Sequence, residues 1–168
     1  MVLGGDGVSA IIHLPTDTPV PCALQDPAHS SPEVGGVSGD NDPVDVVEIG
    51  AAARATGAVV AVKALGVYAM IDDGELDWKV IAIAANDPKA ALVNDVGDVE
   101  KHFPGELDKI RIWFRDYKTP DGKPQNAFGY DNKCLDAAFT KKVIAETHGF
   151  YTALKSGKRV NDKELSLF

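Results

Sequence analysis

Two short segments concentrate the residues of this chain that are suited to binding a metal ion. The first reads GDNDPVD and contains Asp40, Asp42 and Asp45, while the second reads DDGELDWK and contains Asp72 and Asp77. Carboxylates packed this closely repel one another unless a cation lies among them. Because neither segment contains His or Cys, their oxygen ligands favour Mg²⁺ or Ca²⁺ over Zn²⁺.

The spacing of the first segment argues against a calcium-binding loop of the EF-hand type. If such a loop began at Asp40, Val44 would occupy a ligand position and Asp45 would occupy the position that requires glycine. Ala51 would stand where the loop needs a bidentate glutamate. Mg²⁺ binds through one or two carboxylates together with water and phosphate, so it fits acids spread over two segments better.

Basic and phenolic side chains near these acids indicate an anionic substrate. Lys79 lies two residues after Asp77, so on a strand both side chains point to the same face. Tyr117 and Lys118 follow an amphipathic segment and offer a phenol and an ammonium to phosphate oxygens. Two simpler interpretations remain open: an acidic turn that is only solvated, and a Tyr-Lys pair that serves packing and the helix dipole. A P-loop is excluded, because Tyr117 stands where that motif needs its first glycine.

Four apolar, valine-rich segments are typical of strands, and such strands would position these residues. They cover residues 44–49, 58–64, 67–71 and 78–84, and a DDG turn precedes the last of them. In that last segment Val80, Ala82 and Ala84 alternate with Ile81 and Ile83. Since both faces are apolar, the pattern predicts a strand that is covered on both sides.

The second half of the chain changes to a helical period. Asp95 is a predicted N-cap for a helix over 96–102, and Pro104 suits the first turn of the next helix. An apolar stripe then recurs at helical spacing: Leu107, Ile110, Phe114 and Tyr117. Asp136 is the predicted N-cap of a last helix. Strands followed by helices predict an α+β fold, mainly β, built on a small barrel or sheet.

Charge and composition exclude several classes of protein. The net charge is −8, and residues 1–53 contain eight acids but no Lys or Arg, which disfavours nucleic-acid partners. Apolar runs are too short for a membrane helix, and the first fifteen residues lack the basic region of a secretion signal. Two lone cysteines support neither a disulfide scaffold nor a zinc site, so a reducing, cytoplasmic location is predicted.

Three segments together resemble motifs of the family I soluble inorganic pyrophosphatases in their eukaryotic form. They are GDNDPVD at 39–45, MIDDGELDWKVIAI at 70–83 and WFRDYKTPDGKP at 113–124. The resemblance implies an OB-like small β-barrel with flanking helices. It also implies a homodimer that hydrolyses pyrophosphate to two orthophosphates with several Mg²⁺ ions.

The resemblance further implies a role for individual residues. The implied metal ligands are Asp40, Asp45, Asp72 and Asp77. Asp42 is implied as the catalytic base that orients and deprotonates the attacking water. The implied ligands of substrate phosphate are Lys79, Tyr117 and Lys118. These assignments are chemically coherent, because cations stabilise the charge that develops on a leaving phosphate.

The chain departs from the family ahead of the first motif. The family carries barrel strands and cationic phosphate ligands there, whereas residues 1–24 contain no Lys, Arg or Tyr. We therefore expect a barrel that is incomplete at the N-terminus, with residues 1–38 as a divergent, loop-like lead-in and 39–168 as the pyrophosphatase-like domain. Hydrolysis is expected to be weak or absent in such a chain. The alternative is a non-catalytic metal-binding remnant, or an interaction partner of full-length pyrophosphatase subunits.

Overall fold

A four-stranded mixed sheet organises the part of the chain that the structure describes. The computed structural model describes residues 44–53, 55 and 58–160. Its strands are β1 (Asp45–Glu48), β2 (Val62–Asp72), β3 (Glu75–Ala84) and β4 (Ala127–Phe128). The spatial order is β1-β3-β2-β4, in which β1 runs parallel to β3 and the other pairs are antiparallel.

Within the described residues after the central hairpin, 85–160, there are three α-helices and three short 3₁₀ turns. The helices are α1 (Val96–His102), α2 (Glu106–Asp116) and α3 (Ala137–Lys155). The 3₁₀ turns are Ala90–Leu92, Thr119–Asp121 and Tyr130–Asn132. Among the described helices, none is long and apolar enough to cross a membrane.

The hairpin between β2 and β3 fixes the relative positions of several acidic residues. Asp73 and Gly74 form its two-residue turn, with φ angles of 50° and 89°. Turns of this kind need left-handed backbone at both positions, which explains the preference for Asp-Gly. The turn pairs Asp72 with Glu75 and so sets the register in which Met70 lies opposite Asp77.

Both faces of β3 are buried, as its alternating sequence predicts. Ile81 and Ile83 belong to a core that includes Phe114 of α2. Val80 and Ala82, on the opposite face, pack in a second core with Val143 and Ile144 of α3. The prediction of a strand covered on both sides is therefore confirmed, and the sheet lies between two helical layers.

The observed N-termini of the helices confirm two of the three predictions about where helices begin. Asp95 accepts a hydrogen bond from the Val96 backbone N–H at 2.7 Å, and Asp136 accepts one from Phe139 N–H at 2.7 Å. The prediction for Pro104 is wrong, since α2 begins at Glu106 with Gly105 as its N-cap. Gly105 has a φ of 77°, and that left-handed backbone, which glycine adopts easily, separates the proline from the helix.

One strand, β2, contains residues 62–64 of the strand predicted at 58–64 and all of the strand predicted at 67–71, whereas residues 58–61 precede it. The pairing of β2 with β3 shifts register between Ala64 and Gly66. Leu65, which is fully buried, is the extra residue at this bulge. A bulge breaks the period-two pattern locally, which is why a single strand resembles two in the sequence.

The expected OB-like barrel is not confirmed. Within residues 44–53, 55 and 58–160, the strands form an open mixed sheet whose edges are β1 and β4. Helical residues also outnumber strand residues in this part of the chain, because α3 alone has 19 residues. The observed fold is a mixed sheet with flanking helices, so the α+β class holds and the description as mainly β does not.

Two glycine substitutions should have opposite effects on stability. A Cβ at Gly66 would lie 2.7 Å from Val96 Cγ1, 2.8 Å from Cys134 Sγ and 2.9 Å from the Leu135 carbonyl oxygen. We expect Gly66→Ala to lower the free energy of unfolding by about 1–3 kcal/mol, through overpacking. Gly149 lies within α3 with open space around it, so Gly149→Ala should raise it by about 0.5–1 kcal/mol. Urea denaturation measures both, and equal shifts of one sign would contradict the packing argument.

Candidate functional site

A buried ammonium group lies between two carboxylates at the junction of β1 and β3. The parallel register places Asp45 beside Lys79. Lys79 Nζ donates hydrogen bonds to Asp45 Oδ2 and to Asp77 Oδ2, each at 2.5 Å. The expectation that Asp77 and Lys79 share one face of the strand is thus confirmed by direct contact. Only 2% of Lys79 is exposed, so these carboxylates compensate a charge that is almost entirely removed from bulk water.

Helix α2 covers this ammonium from the other side. The ring centroid of Phe114 lies 5.1 Å from Lys79 Nζ, within the range of a cation–π contact. Phe114 itself is buried, as its place in the apolar stripe predicts. The side chains of Asp45 and Asp77 remain 30% and 25% exposed, so the group opens to solvent through its carboxylates.

A second lysine–carboxylate pair joins the end of β2 to the residues that directly follow α2. Lys118 Nζ donates to both carboxylate oxygens of Asp72, across a separation of 46 residues. This hydrogen-bonded carboxylate raises the pKa of Lys118, which favours the charged form of the lysine further. Both side chains are about one-fifth exposed, so a ligand can reach them.

Tyr117 is held by aromatic neighbours beside this pair. Its ring stacks on Trp113 with centroids 5.0 Å apart and an interplanar angle of 13°. The Phe114 ring meets it edge-on, with centroids 6.0 Å apart and an angle of 83°. The Tyr117 ring centroid also lies 5.4 Å from Lys118 Nζ. Two contacts at different angles restrict the rotation of the phenol, so Tyr117 is oriented as well as placed.

Burial and neighbouring charges act on the protonation of Asp77. Burial raises the pKa of Asp77 above its usual value, against the opposing effect of the Lys79 ammonium. The charges of Asp45 and Asp72 raise it further. An additional cation would relieve the repulsion that Asp45 and Asp72 exert on Asp77.

The donor chemistry fits Mg²⁺. The oxygens of Asp45, Asp72 and Asp77 are hard ligands. Each of these carboxylates already forms an ion pair with a lysine. Among the described residues, no group of three or more Asp, Glu, His or Cys side chains is arranged to hold an ion together. Binding through one or two carboxylates is the common mode for Mg²⁺, whereas zinc sites use three or four protein ligands, mostly His and Cys.

The structure brings together six of the eight predicted site residues. They are Asp45, Asp72, Asp77, Lys79, Tyr117 and Lys118. Asp40 and Asp42 lie outside the described residues. Sequence reasoning missed Trp113, for which the signal was present: it lies four residues before Tyr117 on a helix, a spacing that brings two rings together.

An open cleft adjoins Lys118. A second lysine, Lys123, lines it, and the sequence analysis did not assign this residue to the site. The cleft measures about 220 Å³ and is lined by Lys118, Lys123, the Asp73–Gly74 turn and residues 124–127. Lys123 Nζ lies 3.3 Å from Asp73 Oδ2 in an exposed ion pair. A loop that returns from α2 towards the hairpin therefore brings a second ammonium near Lys118.

Comparison with known sequences finds close similarity to one family. The family described as inorganic pyrophosphatase matches residues 20–152. The soluble inorganic pyrophosphatase 1, chloroplastic, of Chlamydomonas reinhardtii is 66% identical over 148 residues, which are 88% of this chain and 52% of that protein. The soluble inorganic pyrophosphatase 6, chloroplastic, of Arabidopsis thaliana is 53% identical over 89% of this chain and 49% of that protein. The chain thus spans about half the length of these relatives.

Solved structures give the same similarity in three dimensions. An inorganic pyrophosphatase from Trypanosoma brucei brucei aligns with a TM-score of 0.70 and 49% identity, over 74% of this chain and 36% of that chain. An N-terminal domain truncated vacuolar soluble pyrophosphatase from Trypanosoma cruzi, solved in complex with PPi, aligns with a TM-score of 0.70 and 47% identity. That alignment covers 73% of this chain and 46% of the other.

Removing the buried ammonium should destabilise the fold in a way that a divalent cation partly reverses. Lys79→Met leaves Asp45 and Asp77 without their shared partner, and we expect it to lower the free energy of unfolding by about 2–3 kcal/mol. Added Mg²⁺ should raise the urea midpoint of this variant more than that of the wild type, since a ligand of the native state stabilises it. Lys109→Met, which breaks only the exposed contact with Glu106, is the control and should change stability by less than about 0.5 kcal/mol. A Mg²⁺ response equal in both variants would argue against a cation among these carboxylates.

Proposed function

Because this chain belongs to the inorganic pyrophosphatase family, we propose that it carries out Mg²⁺-dependent hydrolysis of pyrophosphate to two orthophosphates. The observation that carries the proposal is the alternation of three carboxylates with two lysine ammonium groups at one end of the sheet. Such a group offers ligands for a divalent cation and for phosphate oxygens side by side. The T. cruzi structure similar to this chain contains PPi, which supports the choice of substrate.

The metal and its ligands supply part of the chemistry. The proposed Mg²⁺ ligands are Asp40, Asp45, Asp72 and Asp77. The chemistry that Mg²⁺ supplies when bound is neutralisation of the pyrophosphate charge and acidification of water. The repulsion that Asp45 and Asp72 exert on Asp77 supports this assignment, because a cation would relieve it.

The chain's own residues bind the substrate and move the proton. We assign Lys79, Tyr117 and Lys118 to the phosphate oxygens. The two lysines would donate hydrogen bonds from charged ammonium groups, and Tyr117 would donate one from its neutral hydroxyl. Asp42 is the proposed base: it accepts a proton as a water oxygen attacks one phosphorus atom and the bridging P–O bond breaks. The second phosphate leaves with the electron pair of that bond, and the lysines stabilise its charge.

Compartment and assembly remain predictions. A cytoplasmic location followed from the two lone cysteines, but the Chlamydomonas and Arabidopsis relatives are both named chloroplastic. A homodimer follows from the family resemblance alone. Light scattering of the purified chain would decide the second point.

Removing the proposed base should strongly reduce turnover. With saturating Mg²⁺ the chain is expected to release phosphate from pyrophosphate slowly, and Asp42→Asn should lower kcat by a further factor of about 10²–10⁴. Asp108→Asn, which alters an exposed residue of α2 paired with Arg111, is the matched control and should leave kcat unchanged. A colorimetric phosphate assay measures all three proteins. Wild-type release no faster than the blank would overturn hydrolysis by this chain, and an active Asp42→Asn variant would overturn the role of Asp42.

Removing a proposed phosphate ligand should act mainly on substrate affinity. We expect Lys118→Met to raise KM for pyrophosphate by about 10–100-fold, the effect of losing a charged hydrogen bond. Lys109→Met removes an exposed ammonium from the same helix region and should leave KM unchanged. Initial rates over a range of pyrophosphate concentrations at fixed free Mg²⁺ provide the measurement. If both variants kept the wild-type KM, Lys118 would not be a phosphate ligand.

A further inference from the structure

The C-terminal end of α2 is capped by a residue that lies well beyond the helix. The last four carbonyl groups of an α-helix have no donors within the helix and need partners elsewhere. Asn126 provides donors for two of these carbonyls. Its side-chain Nδ2 donates to the Phe114 carbonyl and its backbone N–H donates to the Arg115 carbonyl, both at 2.9 Å. The end of the helix therefore depends on a chain segment that returns to it ten residues later.

The other two carbonyls at this end are satisfied locally. The Tyr117 backbone N–H donates to the Trp113 carbonyl at 2.9 Å. The Thr119 hydroxyl donates to the Asp116 carbonyl at 2.9 Å. All four carbonyls thus have donors, and Asn126 is the residue that serves two of them from a distant part of the chain.

The same asparagine connects this helix end to the end of β2. Asn126 directly precedes β4, whose two residues pair with Met70 and Ile71. Asp72 is the next residue of β2. Asn126 Nδ2 also lies 3.6 Å from Met70 Sδ. Asn126 therefore contacts α2, the helix that precedes Tyr117 and Lys118. It also lies beside β2, the strand that carries Asp72.

We propose that Asn126 is a positioning residue for phosphate binding, which holds Tyr117 and Lys118 in place relative to Asp72. This inference rests on the proposed function, since it concerns residues assigned there to the substrate. A lysine has many rotamers, so its ammonium is well placed only if the backbone that carries it is fixed. Ligands fixed before the substrate arrives bind it without a further loss of entropy.

The kinetic test separates positioning from a merely structural role. Asn126→Asp keeps the side-chain shape but replaces the amide donor, and Asn126→Ala removes it. Both variants keep the backbone N–H that bonds to Arg115. We expect each to raise KM for pyrophosphate by about tenfold while kcat changes by less than about threefold. A purely structural role would reduce the amount of folded enzyme, and hence the apparent kcat, at an unchanged KM.

Gln125→Ala is the matched control for these variants. Gln125 is the exposed neighbour of Asn126, and its Nε2 donates to the Asp116 side chain at 2.8 Å without contacting the helix carbonyls. We expect it to keep the wild-type KM. An increase in KM as large as that of Asn126→Ala would show that any change in this loop has the same effect, and it would overturn the specific role of Asn126.

Amide hydrogen exchange gives a second readout that needs no activity. In the Asn126 variants the Tyr117 amide should exchange at least about tenfold faster, while amides of β2 and β3 keep their wild-type rates. Unchanged exchange at Tyr117, or equal acceleration throughout the sheet, would overturn the proposal. If the wild-type chain releases no phosphate, hydrolysis fails independently. The positioning role is then decided by this exchange together with the calorimetric Kd for pyrophosphate, which must weaken in both variants.

Discussion

The buried ammonium of Lys79 is the constraint around which the rest of this structure is arranged. A charge removed from water is tolerated only when opposite charges and hydrogen bonds replace its hydration. Asp45 and Asp77 provide both, but Asp45 can do so only if β1 pairs with β3 in the observed parallel register. Phe114 then covers the ammonium, which requires α2 to pack on this face of the sheet. Strand pairing, helix packing and site chemistry therefore depend on one interaction.

The second lysine extends this arrangement from the sheet to the end of α2. Lys118 joins Asp72, which the tight β2–β3 turn places at the end of its strand. Tyr117 is oriented by stacked and edge-on rings, and Asn126 satisfies two of the carbonyls behind it. The result is a surface where carboxylates and ammonium groups alternate on rigid elements. Such a surface suits a substrate that carries negative charge together with a metal ion.

Local features of the fold were predictable, and features that depend on distant partners were not. Asp95 and Asp136 were recognisable as helix caps because a cap acts on backbone groups within three residues of itself. Pro104 was misplaced because Gly105 takes up left-handed backbone between it and the helix. The bulge at Leu65 made one strand resemble two, since an extra residue reverses the alternation of faces. The barrel expected from the family resemblance was not confirmed in the described residues.

The same distinction applies to the candidate site: some of its features follow from the local sequence, and others depend on partners far apart in the chain. Periodicity alone places Asp77 and Lys79 on one face of a strand, and residue chemistry alone points to Mg²⁺ and phosphate as ligands. The contacts of Asp45 with Lys79 and of Asp72 with Lys118 join residues 34 and 46 positions apart. Which of many acids meets which lysine depends on strand register and on how α2 packs against the sheet. Neither property has a local signature, because each arises from burying apolar surface that is shared between elements far apart in the chain.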